Sequence, residues 1–169
     1  MRKGIALVML ATISGCGGTT GSAPLADREP KLDPVAFFTG DSRGAGQLKV
    51  MMSAARTINV ESHGTLDGKG GIILDQTVRQ AGKPEGVRRW NLRPISATRL
   101  TGTLSDATSP VSGELSGNRL HLAYRMKGGL AAEQFLYLQP DERTLLNRMT
   151  VRKFGLVVAR VDERILKSE

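Results

Sequence analysis

Cysteine occurs once in these 169 residues, at Cys16. One thiol excludes an intrachain disulfide and any paired-cysteine metal site. Histidine occurs twice, at His63 and His121, and no His-Glu-x-x-His or Gly-x-Ser-x-Gly pattern occurs anywhere. Gly68-Lys69-Gly70-Gly71 looks superficially like a phosphate loop, yet it lacks the Gly-Lys-Ser/Thr ending and the helix that should follow. Aromatics are only 4% of the chain, with one tryptophan. Beyond the first fifteen residues there is no long apolar run and no convincing long amphipathic helix. No catalytic residue, metal site or cofactor is therefore assigned, and the expectation is that the protein is not an enzyme.

What is present begins at the N-terminus. Arg2 and Lys3 precede an apolar run over residues 4–13, which ends in Ile13-Ser14-Gly15-Cys16. A charged start, a short apolar stretch and small residues describe a secretory signal, too short to span a bilayer as a mature helix. The cysteine directly after the small pair resembles the lipobox of bacterial lipoproteins. That resemblance implies that Cys16 is lipidated and becomes the mature N-terminus, so that the membrane is a partner through a covalent anchor. A catalytic thiol inside a secretion signal would have no folded scaffold to lower its pKa. Gly17 stands where an aspartate would resemble an inner-membrane retention signal, which favours the outer membrane.

Removing residues 1–15 leaves 154 residues, enough for one domain with a real core. Arg2 and Lys3 leave with the leader, so 22 basic minus 16 acidic residues give +6. This excess fits either affinity for phosphate-bearing surfaces or a solvated surface with scattered arginines. Lipids and cell-wall polymers are the anions of an envelope, and nucleic acid is not expected. Residues 16–31 are small, polar and proline-containing, which reads as a flexible tether. The folded domain is placed at residues 32–169.

Asp33 can cap a short helix with Pro34 at its first position, carrying Val35, Phe37 and Phe38. From Gly44 onward the apolar period is two. Ile58, Val60, Gly64 and Leu66 alternate with Asn59, Glu61, His63 and Thr65, then residues 67–71 turn into Ile72, Leu74, Gln76 and Val78. Asp-Gly between alternating stretches is a strong hairpin signal. Arg88-Trp90-Leu92, Leu100-Gly102-Leu104, residues 111–115, Leu120-Leu122-Tyr124-Met126, residues 133–139, 145–153 and 156–165 continue the pattern, with glycine or proline turns between them. The prediction is all-β: a single antiparallel meander of about nine or ten strands, closed into a barrel to remove its edges.

The order of these pieces resembles a family of small proteobacterial lipoproteins, the domain of unknown function numbered thirty-eight thirty-three. The resemblance is carried by Leu32-Asp33-Pro34, Phe37-Phe38-Thr39-Gly40, Gly64-Thr65-Leu66-Asp67-Gly68, Arg89-Trp90, Thr101-Gly102-Thr103, Ser116-Gly117-Asn118, Leu136-Tyr137-Leu138-Gln139, Asn147-Arg148-Met149 and Lys153-Phe154-Gly155. It implies a lipocalin-like barrel and no established activity. Members of that family tend to carry a tryptophan where this chain has Gly44-Ala45-Gly46, and more aromatics on two later strands. This chain is therefore expected to have a narrower, less sticky interior.

Arg148, Arg152, Arg160 and Arg164 are the polar set best suited to a ligand. Each pair shares a strand phase, and on paired strands the four could hold a carboxylate or phosphate. Asp162 and Glu163 supply the other reading, a cross-strand ion-pair ladder. Trp90 and Tyr124 read as core fillers or as ligand platforms. Two functions follow. Either the interior binds an amphiphilic, lipid-like ligand with an arginine at its mouth, or side chains fill the barrel and its surface docks a partner protein in envelope assembly. The volume of the interior discriminates between them.

Overall fold

The computed structural model describes residues 25–168. One short helix, α1 (Pro34–Phe38), precedes ten strands: β1 (Gly40–Val50), β2 (Arg56–Leu66), β3 (Ile72–Gln80), β4 (Gly86–Ser96), β5 (Arg99–Leu104), β6 (Val111–Ser116), β7 (Arg119–Met126), β8 (Leu130–Leu138), β9 (Thr144–Lys153) and β10 (Leu156–Lys167). Each strand pairs antiparallel with its sequence neighbour, and β1 pairs with β10 to close the barrel. The predicted meander and its closure are thus present.

Alternation fixes which side chains face inward. On β2, Ile58, Val60, Ser62 and Gly64 are buried while the residues between them are exposed. Leu120, Leu122 and Tyr124 on β7 and Leu145, Asn147, Met149 and Val151 on β9 do the same. The core is this inner layer, completed by Phe37 and Phe38 of the helix.

The helix plugs one end. Asp33 accepts hydrogen bonds from the Val35 and Ala36 amides at 2.9 and 3.0 Å, with Pro34 in the first turn. Phe37 and Phe38 pack edge to face at 5.0 Å. Lys167 Nζ, from the end of β10, donates to the carbonyls of Ala36, Phe37 and Thr39 at 2.8, 2.8 and 2.9 Å. At the other end the strands are joined only by turns, over residues 51–55, 81–85, 105–110, 127–129 and 154–155. The chain joins the barrel ahead of Leu32: the Asp27 amide donates to Asn118 Oδ1 at 2.8 Å, and its carbonyl accepts from the Asn118 amide at 2.9 Å. Helix, strands and closure all lie within residues 25–168.

Candidate functional site

The barrel encloses a cavity of about 230 Å³, running from Phe38 at the plugged end to Gln80, Arg88 and Met126 near the open end. Its wall is apolar, from Ile58, Val60, Leu74, Leu122, Met149 and Ile165, with a few polar groups set into it. The one carboxylate among those lining residues is Glu163, which lies on the inward phase of β10 between Val161 and Ile165.

Room for that side chain comes from β1, whose inward positions are Ser42, Gly44, Gly46 and Leu48. A Cβ on Gly44 would fall 1.9 Å from Glu163 Oε1, and one on Gly46 would fall 2.7 Å from the Glu163 Cα. The two glycines are the floor on which the carboxylate rests. Asn147 Nδ2 donates to Glu163 Oε2 at 3.0 Å, while Asn147 Oδ1 is buried and has no hydrogen-bond partner.

Burial pushes the Glu163 pKa up, opposed in part by the Asn147 hydrogen bond and by the charge of Arg88. The fold therefore disfavours the charged carboxylate. No penalty exists where Glu163 is protonated in both folded and unfolded chains. It grows as the pH rises from the ordinary glutamate pKa and is complete above the raised one. Glu163→Gln is accordingly expected to be more stable than the wild type at about pH 8 and equal to it at about pH 4. Urea unfolding midpoints at the two pH values check this, and equal midpoints at both would refute a buried, strained charge.

Arg88 is the arginine among the residues lining this cavity. It shares the phase of Trp90 and Leu92 on β4, sits nearest the open end, and pairs with Asp106 at 3.1 Å. Trp90 Nε1 donates to Gln76 Oε1 at 2.7 Å, and Gln76 Nε2 donates to Ser62 Oγ at 3.0 Å. Trp90 and Tyr124 meet edge to face at 5.5 Å, as core fillers do. The Tyr124 hydroxyl is buried without a partner, and burial pushes its pKa up to about 12.

The four arginines singled out from the sequence lie elsewhere. Leu145, Met149 and Val151 take the inward phase of β9, so Arg148 and Arg152 point outward. Val161 and Ile165 do the same on β10, leaving Arg160 and Arg164 outside. Arg148 pairs with Asp162 at 3.0 Å, Arg152 with Glu133 at 3.1 Å, and Arg164 Nη2 donates to Thr144 Oγ1 at 3.4 Å. In register Arg148 faces Asp162 and Arg160 faces Thr150. The set belongs to the outer wall, with Arg148 and Arg152 in ion pairs, and does not form an anion cradle at the mouth. Both histidines are also outside: His63 Nδ1 lies 2.6 Å from Asp41 Oδ1, and His121 Nε2 lies 3.0 Å from Glu133 Oε1 with its ring stacked on Phe135. Among the described residues no three His, Cys, Asp or Glu side chains gather as metal ligands. The lipidation site, Cys16, lies outside the described residues.

Glu163, Asn147 and Arg88 were missed as a site by sequence reasoning. The signal for Arg88 was its shared phase with Trp90 and Leu92. For Glu163 it was a charged residue on the Val161–Ile165 phase, opposite a strand whose inward positions are glycine.

Solved structures with this architecture include the S-type phycobiliprotein lyase CPES from Guillardia theta, at TM-score 0.63 and 8% identity over 80% of this chain and 90% of that one. Rv2717c from M. tuberculosis is similar at TM-score 0.62 and 15% identity, covering 82% of this chain and 99% of that one. A DUF3598-family protein of unknown function from Nostoc punctiforme is similar at TM-score 0.60 and 13% identity over 82% of this chain and 50% of that one. At these identities the likeness is one of fold, a lipocalin-like barrel. No curated protein matches the sequence. The family described as Protein of unknown function (DUF3833) matches residues 10–167, nearly the whole sequence and every strand of the barrel, and the chain belongs to that family.

Proposed function

We propose that this is a lipid-anchored envelope protein whose barrel binds a compact amphiphile, without turning it over. The observation that carries the reading is the unpartnered Asn147 Oδ1 beside Glu163, in a mostly apolar cavity. A buried polar atom without a partner costs about 1–3 kcal/mol, and a bound head group that donates a hydrogen bond removes that cost. Glu163 in its neutral form can donate as well as accept. The matching ligand has a hydroxyl, amide or protonated carboxyl head and an apolar tail. At about 30 Å³ per water-sized group, the cavity of about 230 Å³ takes roughly seven or eight heavy atoms. A full-length acyl chain does not fit within it.

Binding rather than catalysis is supported by the placement of both histidines on the outer wall, each on a carboxylate. The anchor is supported by Ile13-Ser14-Gly15-Cys16 behind a charged, apolar leader. Native mass spectrometry of residues 25–169, followed by titration with hexanol, hexanamide and hexanoate, tests the ligand. Hexanol and hexanamide are expected to bind, and Glu163→Leu and Asn147→Leu to weaken them by about tenfold, the value of one lost hydrogen bond. Stronger binding of hexanoate, or no effect of either variant, would overturn the assignment of the head group to Glu163 and Asn147. A second reading, a barrel filled by its own side chains that docks a protein partner, draws support from the cavity's size, which falls below the usual ligand-pocket range of about 300–1,000 Å³. Absence of binding by all three probes would favour it.

A further inference from the structure

The open end of the barrel carries apolar side chains that packing does not require. Met51, Met52, Phe154 and Leu156 are all exposed there, Met52 at 97% and Phe154 at 90%. They form one patch, because the Met51 amide bonds the Val158 carbonyl at 2.8 Å and Leu156 pairs with Lys153 across the next turn.

The backbone makes the choice of residues informative. Met52 has φ 61° and Phe154 has φ 50°, with Gly155 after it at φ 82°. Two successive left-handed residues make the tight hairpin turn that favours Asn-Gly. A bulky side chain in that region is strained and is uncommon without a functional reason. Folding alone would place glycine or asparagine at both tips, and this chain has methionine and phenylalanine.

The net charge at this end is positive. Lys49, Arg56, Lys83, Lys127 and Lys153 surround the patch, and Lys153 Nζ lies 5.6 Å over the Phe154 ring. The two acids in the turns are already held, Glu85 by Arg79 at 2.7 Å and Asp106 by Arg88 at 3.1 Å. Among the described residues no carboxylate pairs with Lys83, Lys127 or Lys153. The plugged end, by contrast, mixes signs, with Asp27, Asp33, Asp67, Asp141 and Glu142 beside Lys31, Lys69 and Arg143.

We propose that the open rim docks on an anionic lipid surface, with Met51, Met52, Phe154 and Leu156 entering the headgroup layer and the surrounding lysines meeting lipid phosphates. Apolar side chains at separate hairpin tips suit a soft interface that each can enter independently. Unopposed lysines supply attraction to anionic lipid that salt screens. The inference stands apart from what the cavity holds, since it uses none of the cavity residues.

The test uses residues 25–169, which lack Cys16 and the apolar leader, in flotation with phosphatidylglycerol-containing and pure phosphatidylcholine vesicles. Binding is expected to the anionic vesicles alone and to fall steeply with salt. The double variant Met52→Gly, Phe154→Gly relieves the left-handed strain, so it should be as stable as the wild type while binding about tenfold less, the loss of two inserted side chains offset by the retained lysines. In Phe154→Trp, vesicles should shift the added fluorescence to the blue. Binding unchanged in the glycine variant, or equal on both vesicle types, would overturn the proposal. So would a concentration-dependent dimer lost in that variant, without vesicle binding, which would make the rim a contact between copies.

Discussion

Gly64→Val is expected to destabilise the barrel by about 3 kcal/mol or more, at the upper end for an overpacked interior position. Gly64 faces inward on β2, directly beneath the plug. A Cβ there would stand 1.8 Å from the Phe38 carbonyl oxygen, 2.8 Å from the Phe38 carbonyl carbon and 2.9 Å from Ile72 Cδ1. The first two belong to the main chain and cannot rotate away. The helix end must lift, which strains the Phe37–Phe38 packing and the three hydrogen bonds from Lys167. Gly86→Val is the control, because its nearest atom is the Val78 carbonyl oxygen at 3.9 Å, and its cost should stay within about 0.5 kcal/mol. Urea unfolding of both variants decides the matter. A Gly64→Val barrel as stable as the Gly86→Val one would mean that the helix does not seat firmly on β2.

Most of this fold was legible because a half-buried antiparallel strand has to alternate. The hairpins around residues 67–71 and 116–118 were marked by Asp-Gly and Ser-Gly-Asn, and both glycines adopt the positive φ that such turns need. β1 was the least legible strand. Its inward residues begin Ser42, Gly44 and Gly46, so its inner face shows no large apolar side chain before Leu48. That silence has a cause, since a larger residue at Gly44 would occupy the space of the Glu163 side chain.

The site was harder to read than the scaffold. A strand pattern separates two faces but does not say which charged residue on the inner phase is tolerated. Glu163 and Arg88 each broke an apolar alternation and were passed over in favour of arginines that obeyed it. Arg148 and Arg160 obeyed the pattern because they face solvent. On a barrel, the polar residue on the inner phase is the better candidate, because its desolvation must be offset by something.

The second large effect concerns Cys16. Cys16→Ser is expected to leave an unprocessed precursor and to abolish labelling by an alkynyl fatty acid completely. The thiol is the nucleophile that diacylglycerol transfer requires, and the chain holds no other. Two or three acyl chains, at about 0.8 kcal/mol per buried methylene, make the difference between a stable anchor and a marginal one. The barrel itself should be untouched, since its helix and ten strands lie within residues 34–167. An anchor at Cys16 is also compatible with the docked rim. Eight residues lie between it and Leu25, and the nine steps along the chain reach about 30 Å when extended. A strand of 11 residues tilted by about 40° gives a barrel about 28 Å tall. Fully extended, the stretch from Cys16 to Leu25 would thus be long enough to run from the plugged end to a membrane that meets the rim. Anchored wild type should stay on membranes at high salt, whereas residues 25–169, which lack Cys16, should leave them as salt rises. Wild-type processing and labelling in Cys16→Ser would refute the anchor and leave the rim as the membrane contact to be tested alone.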